Sequence, residues 1–282
     1  MSPVVLITGT SSGIGLATAV TAAHHGFTTV ATMRDTSKDG PLRAAAQAAG
    51  VELDIRPLDV VDEAAVAACI DGAVADHGAL DILINNAGRG FVGTVEQVPM
   101  ADLRDVMEVN FFGVVAATKA AMPHLRASKG RVITVTSVGG VVGQPFNEAY
   151  CAAKFAVEGF MESLAPVAAS VGVLVSVIEP GPVATEFVNN VGVDVEALFA
   201  SAGEYEPAMQ AYLRHVMAEF GNSEAVQTGD DIAEVVLTAM VTDSPAFRHQ
   251  TSHWSRTFTG YKLSDHDGSA VVGMTTDWLR AD

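Results

Sequence analysis

Five residues near the start of the chain, Val4–Thr8, four of them β-branched, run straight into Thr8-Gly9-Thr10-Ser11-Ser12-Gly13-Ile14-Gly15. A short apolar run with no polar alternation, stopped by glycine, reads as a strand buried on both faces. The residues after it read as a tight glycine turn and then a helix through residue 25, closed by Gly26. A strand covered on both sides needs parallel neighbours and helices above and below. This opening unit therefore constrains the whole chain.

The pattern recurs along the 282 residues. Strands are predicted at 27–32, 52–58, 80–84, 131–136 and 173–178. Helices are predicted at 41–49, 62–77, 101–125, 149–171 and 230–241, with a kink expected near Pro123 and a disturbance at Pro166. Alternation at this spacing predicts an α/β fold: a single domain with a Rossmann-like, doubly wound parallel sheet of about seven strands and helices on both faces. Residues 186–229 and 243–282 fit the pattern poorly. The first stretch follows a strand's carboxyl end, where open α/β sheets bind ligands, and is the candidate substrate lid. The second reads as a C-terminal extension.

Charge narrows the partners. Asp and Glu number 33 against 16 Lys and Arg, a formal net charge of −17. Such a surface repels nucleic acid and anionic membranes. A content of 49% hydrophobic and 17% charged residues excludes a disordered chain. Two cysteines, Cys69 and Cys151, are too few for a disulfide framework or a cysteine-rich zinc site. No metal site is expected: His24 and His25 lack partners at ligand spacing. Residues 1–33 carry no Asp, Glu, Lys or Arg, yet a signal peptide needs a basic n-region. A membrane span is not expected either, because the glycine-bearing break interrupts the apolar run. The cytoplasm is the expected location. Lysine occurs only at 38, 119, 129, 154 and 262, so the place of each cation carries information.

The glycine loop joins strand to helix where a helix N-terminus offers free N–H groups and partial positive charge to a pyrophosphate. Gly9, Gly13 and Gly15 permit the turn, with Ser11, Ser12 and Ile14 completing it. A plain strand–helix turn is the alternative, and the strand–loop–helix setting favours the phosphate cradle. The next strand ends Ala31-Thr32-Met33-Arg34-Asp35. Met33 supplies no carboxylate for ribose hydroxyls, whereas Arg34 suits a 2′-phosphate, with Ser11 and Ser12 as further donors. NADP(H) is therefore expected, with NAD(H) possible as the alternative. In the competing view Asp35 pairs with Arg34 or Lys38 and leaves Arg34 a surface charge.

Tyr150 and Lys154 are four apart on a predicted helix and share a face. Ser137 follows a strand at the ligand edge of the sheet. Asn110 sits between Val109 and Phe111, an awkward place for an amide. Each alone has a plain packing or surface explanation, but on a dinucleotide scaffold the four together point to chemistry. Together with Thr8 to Gly15 they resemble the short-chain dehydrogenase/reductase family, from Val4 to about Thr185. Asn85-Asn86-Ala87-Gly88 matches its Asn-Asn-Ala-Gly motif. Pro180-Gly181, with Val183 and Thr185, matches its nicotinamide-side motif, and Asp59-Val60 matches its adenine pair. A closer resemblance is to the branch of estrogenic 17β-hydroxysteroid and photoreceptor-type retinol dehydrogenases. It is carried by residues 31–35, by Ser137-Val138-Gly139-Gly140 and by Gly143-Gln144-Pro145-Phe146-Asn147. Tyr150-Cys151-Ala152-Ala153-Lys154-Phe155-Ala156, Glu158-Gly159 and Asp267-Gly268-Ser269 extend it.

The resemblance implies an NADP(H)-dependent oxidoreductase acting on a hydrophobic ketone or secondary alcohol. Tyr150 would be general acid or base, and Lys154 would lower its pKa and bind the nicotinamide ribose. Ser137 would donate to the developing oxyanion, and Asn110 would hold a relaying water. Phe146, Phe187 and Phe199 are candidate apolar walls. A homodimer or homotetramer is implied, paired through helices 101–125 and 149–171. The alternatives are an acyl-carrier or polyketide-type ketoreductase, for which the few lysines are a poor match, and a non-catalytic NADP(H)-binding sensor or scaffold, which has no need of Tyr150. Gly-x-Ser-x-Gly is absent, so no hydrolase elbow is expected. Cys151 reads as packing rather than a nucleophile.

Overall fold

Alternate residues of the first strand, β1 (Val4–Thr8), serve two cores. Val4 and Leu6 face one helical layer, and Val5 and Ile7 face the other; all four are 0–2% exposed. The computed structural model describes residues 2–184, 195–221 and 225–264, together with Met274, Asp277 and Trp278. After α1 (Gly13–His24) come β2 (Thr28–Met33), α2 (Gly40–Ala49), β3 (Asp54–Pro57), α3 (Glu63–His77) and β4 (Ile82–Asn85). Then follow α4 (Met100–Met107), α5 (Gly113–Ser128), β5 (Arg131–Val135), α6 (Glu148–Ala169) and β6 (Leu174–Glu179). The described remainder forms α7 (Val195–Ala202), α8 (Glu206–Gly221), α9 (Gly229–Val241), β7 (Arg248–Gln250) and α10 (His253–Ser264).

The seven strands form one parallel sheet in the order β3-β2-β1-β4-β5-β6-β7. One face is covered by α3, α5 and α6 through Val66, Ile70, Val114, Leu125, Val157 and Met161. The other is covered by α1, α2 and α9 through Ala19, Ala22, Leu42, Ile232 and Val236. Helix ends follow local chemistry. Gly50 and Gly78 close α2 and α3 in the left-handed region, with φ of 66° and 86°. Asp62 caps α3 by accepting from Ala65 N at 3.0 Å. Thr228 and Asp231 form a reciprocal capping box on α9.

Three sequence expectations change. The helix expected over 101–125 is broken at a π-helical turn, Glu108–Phe112, and not at Pro123, which α5 accommodates inside its length. Likewise α6 continues past Pro166. The stretch 243–282 supplies the seventh strand, a short edge against β6. Within 186–229 the described residues are largely helical, in α7 and α8.

Candidate active site

Strands β1 and β4 are neighbours, although β2 and β3 lie between them in sequence. The strand order reverses here, and a crevice opens at the carboxyl ends. Into it lead Gly9 after β1, Asn86 to Gly88 after β4, Ser137 after β5 and Pro180-Gly181 after β6.

The glycine loop is locked to the loop after β4. Asn86 Nδ2 donates to Thr8 O at 2.9 Å and to Gly9 O at 2.8 Å. Thr8 Oγ1 accepts from the amides of Asn86 and Ala87, each at 3.0 Å. A Cβ at Gly15 would lie 2.2 Å from Gly9 O and 2.3 Å from Asn86 Nδ2, so only glycine fits there. At Gly9, φ is +73° and a Cβ would meet Ala87 Cα at 2.7 Å. Ser12 precedes α1 without a side-chain cap, and the first turn holds no acid. The N–H groups at the start of α1 thus remain for an anion, and the uncluttered loop lets one approach. A dinucleotide pyrophosphate fits this cradle.

Thr10 ties the loop to the end of β2, through its amide at 2.9 Å and its hydroxyl at 3.1 Å, both to Thr32 O. The glycine loop is thereby held to the strand end that leads to Arg34, which is exposed. Met33 points into the core, 2% exposed. Asp35 accepts from Ser37 N at 3.0 Å and from Ser37 Oγ at 2.6 Å, which holds its carboxyl below the ordinary range. Among the described residues no carboxylate forms an ion pair with Arg34. The competing pairing of Asp35 with Arg34 or Lys38 is not formed; Asp35 caps its own turn instead. Asp59 is half-buried and accepts from Val61 N at 3.3 Å. Val60 packs against Gly113, where a Cβ would come within 2.7 Å of it.

Ser137, Tyr150 and Lys154 come together. The Ser137 hydroxyl hydrogen-bonds the Tyr150 phenol and accepts from Gly139 N at 3.0 Å. Lys154 Nζ lies 5.9 Å from the Tyr150 ring centre and donates to Val135 O at 3.0 Å. Lys154 is 5% exposed, and burial brings its pKa down to about 8 against the opposing pull of Glu158. Tyr150 is pushed up to about 12 by burial, with Ser137 opposing. Burial sets that direction in the protein without cofactor, although Tyr150 itself is only half-buried, and the lowering expected from Lys154 does not show against it.

Asn110 occupies the π-helical turn, fully buried. Its Oδ1 accepts from Arg89 N at 2.9 Å and its Nδ2 donates to Arg89 O at 2.8 Å. The amide thus pins the chain just after Gly88. One N–H and one oxygen lone pair of the amide are thereby engaged by backbone, which leaves a second of each for the water expected there. A Cβ at Gly88 would lie 2.9 Å from Asn110 Oδ1 and 3.8 Å from Lys154 Nζ, so this glycine brings the loop close to both.

The loop after β6 is held from beneath. Pro180 O accepts from Val138 N at 2.9 Å, and Val183 bridges Gln227. Trp254 and Ser255 press on Gly181, where a Cβ would come within 3.0 Å of either. Thr185, Phe187 and the triplet at 267–269 lie outside the described residues. Phe146 is buried and Phe199 half-buried in one apolar cluster with Met209 and Tyr212. Phe146 adopts φ +58°, an unusual choice for an aromatic. Its carbonyl accepts from Gly93 N at 2.9 Å, which fixes the strained turn. Cys151 is 5% exposed and pushed up to about 11 by burial, so its thiol stays protonated.

Several aromatic residues packed near Ser137 and Phe146 escaped the sequence analysis. Tyr212 OH accepts from Asn147 Nδ2 at 2.7 Å. Trp278 stacks on His215 at 4.5 Å and on Phe258 at 5.8 Å, joining the two apolar clusters beyond Ser137. The accumulation of aromatics at 199, 212, 254, 258 and 278 was the available signal. Among the described residues, no cluster of His, Cys, Asp or Glu is arranged to hold a metal, and no helix is long and apolar enough to cross a membrane.

The sequence profile of the short chain dehydrogenases matches residues 3–196. The chain belongs to the short-chain dehydrogenase family. A bovine relative, retinol dehydrogenase 8, is 37% identical over 283 residues, covering 95% of this chain and 87% of its own. Human 17-beta-hydroxysteroid dehydrogenase type 1 is 39% identical over 277 residues, covering 95% and 83%. A metagenomic short-chain oxidoreductase solved in complex with NADP superposes with a TM-score of 0.69 at 26% identity, covering 89% of this chain and 97% of its own. As a short-chain dehydrogenase, the protein is an oxidoreductase of alcohol and carbonyl groups that works with NAD or NADP.

Proposed function

We propose that this short-chain dehydrogenase interconverts a hydrophobic ketone and its secondary alcohol, steroid- or retinoid-like in character, with NADP(H) as the preferred cofactor. The observation that carries the reading is the hydrogen-bonded Ser137–Tyr150 pair beside buried Lys154. The names of the bovine and human relatives support the substrate class, and exposed Arg34 just after β2 supports the 2′-phosphate. Asp59 and Val60 would flank the adenine, and Pro180, Gly181, Val183 and Thr185 the nicotinamide side. Residues 186–229 would close over the substrate.

Bound NADP(H) supplies or accepts the hydride. The chain's own residues handle the proton. Tyr150 Oη gives a proton to the substrate oxygen in reduction and takes one in oxidation. Burial keeps Tyr150 protonated, the form needed to reduce a ketone. Lys154 has two donors beyond its bond to Val135 O, suited to ribose hydroxyls. Its charge also favours the phenolate when oxidation demands it. Ser137 donates to the substrate oxygen as negative charge develops there.

Two further readings accompany this one. Exposed Phe112, Phe155 and Val167 on the π-helical turn and α6 support a homodimer or homotetramer. Two free thiols, Cys69 and Cys151, suit a reducing cytoplasm. The test is Tyr150→Phe, assayed on a panel of steroid, retinoid and acyl-thioester carbonyls by NADPH absorbance. Turnover should fall by at least about 100-fold while NADPH binding persists. Unchanged turnover refutes the role of Tyr150, and activity confined to acyl thioesters refutes the substrate class.

A further inference from the structure

Burying a charge without a partner is costly, and Lys154 is a buried cation whose one hydrogen bond among the described residues goes to a neutral carbonyl. A buried carboxylate lies one turn along the same helix. Tyr150, Lys154, Glu158 and Glu162 recur every four residues along α6 and form one stripe. Glu158 is 4% exposed, one turn beyond Lys154. We propose that Glu158 is a positioning residue for the hydride-transfer site: its buried carboxylate holds Lys154 in the ammonium form. The proposal rests on the role assigned to Lys154 above.

The surroundings of Glu158 define the charge balance. From β7, Arg248 Nη1 makes a very short contact to Glu158 Oε2, and it also donates to Glu179 Oε1 of β6 at 3.0 Å. Arg248 Nη2 reaches Glu162 at 3.0 Å, on the exposed side of α6. Gln250 donates to the other oxygen of Glu179 at 2.8 Å. Just after β5, the Thr136 hydroxyl donates to Ile178 O at 2.9 Å, and Glu158 Oε1 is buried without a hydrogen-bond partner among the described residues. Arg248 thus pairs with both deeply buried acids, Glu158 and Glu179, and on our proposal Lys154 supplies the second positive charge of this group. The match holds only while Glu158 is ionised. Burial and Glu179 push Glu158 up to about 7, against Arg248, so its charge changes near neutrality and Lys154 should sense that change.

A purely mechanical role, anchoring β7 to α6, would be met by Arg248 with Glu179 and Glu162. Glu158 also touches the catalytic turn. A Cβ at Gly140 would come within 3.0 Å of Glu158 Cγ and 3.2 Å of Lys154 O. The loop carrying Ser137 therefore lies flat on the Lys154–Glu158 turn. The carboxylate itself is turned to Arg248 of β7.

Glu158→Gln keeps the shape and removes the charge. With lysine ¹³C-labelled at Cε, only five resonances need assignment, and Lys154 is identified by its loss in Lys154→Arg. In the protein without cofactor, the Lys154 midpoint should fall by about one pH unit in Glu158→Gln and stay put in Glu162→Gln. The alkaline limb of kcat should move by the same amount, with KM for substrate unchanged. An unmoved Lys154 midpoint in folded Glu158→Gln overturns the proposal. If that variant does not fold, the unaltered protein decides. Its Lys154 resonance should carry a second, smaller inflection near neutrality as Glu158 titrates, and a single inflection overturns the proposal. Because the resonance is read without turnover, a failure of the Tyr150 mechanism would leave this result standing, and the reverse also holds.

Discussion

The clamp between the glycine loop and the loop after β4 can be cut at a single side chain. Asn86→Ala removes two hydrogen bonds, at 2.9 and 2.8 Å, that hold Thr8 O and Gly9 O. The site is half-buried, so water can reach the carbonyls through the space left by the amide. The loss is therefore about 1 kcal/mol per bond, or about 2 kcal/mol together, rather than the larger penalty of orphaned buried groups. In a chain of this size that lowers the melting temperature by roughly 4–8 °C. The effect on cofactor affinity has a ceiling. A loop loosened by about 2 kcal/mol can weaken NADPH by at most about 30-fold, and by less if the closed form still dominates. Differential scanning calorimetry and titration calorimetry measure both quantities. Gly15→Ala attacks the same clamp sterically and should be worse, because its methyl meets the backbone Gly9 O at 2.2 Å as well as the amide. Combining the two substitutions should not restore binding, since the clash with the carbonyl survives. A melting temperature and NADPH affinity unchanged in Asn86→Ala would refute the clamp, and rescue of Gly15→Ala by Asn86→Ala would refute the backbone clash.

Two other outcomes follow from the site's charges. Arg34→Asp should weaken NADPH by about tenfold or more and bring NADH closer to parity, measured as the ratio of kcat/KM for the two cofactors; an unchanged ratio makes Arg34 a bystander. Burial disfavours the Tyr150 phenolate, so in the protein alone its absorbance near 295 nm, taken as the difference from Tyr150→Phe, should not rise until pH approaches about 12. Ketone reduction, which uses the protonated phenol, should hold level across neutral pH while alcohol oxidation climbs. Phenolate formation near neutrality without cofactor would contradict this.

What was legible in the sequence was whatever is enforced locally. The run Val4–Thr8 is buried on both faces because it has no polar face to show, and the glycines after it mark where a side chain would collide. The spacing of Tyr150 and Lys154 is a helical turn, so their shared face needed no tertiary information. Features made by distant contacts were hidden. The break at Glu108–Phe112 inserts an extra residue into a helix whose apolar period otherwise continues, and only the odd placement of Asn110 hinted at it. Strand β7 reads Arg-His-Gln, with no apolar alternation, and exists because β6 offers it an edge. The upward shift of Tyr150 was hidden for the same reason: the nearby cation is visible in the sequence, whereas the surrounding burial exists only in the fold.

The charge balance of the chain bears on how the site is built. With a net charge of −17, the protein as a whole repels an anionic cofactor, so attraction must be local and short-ranged. Several of the scarce cations are committed to structure: Arg56 to Asp54 and Asp76, Arg43 to Asp39, and Arg248 to three glutamates. Lys129 and Arg131 are bound to backbone carbonyls. The cradle itself relies on uncharged donors, the N–H groups of α1, which salt screens little at contact and which no proton can remove. A lysine there would gain attraction but would also draw in the surrounding carboxylates. Among the described residues Arg34 has no ion-pair partner, which suits its proposed role beside a neutral pyrophosphate seat. Among the described residues Lys154 is the one buried cation, and the proposed partner for so costly a charge is Glu158, buried one turn further along α6.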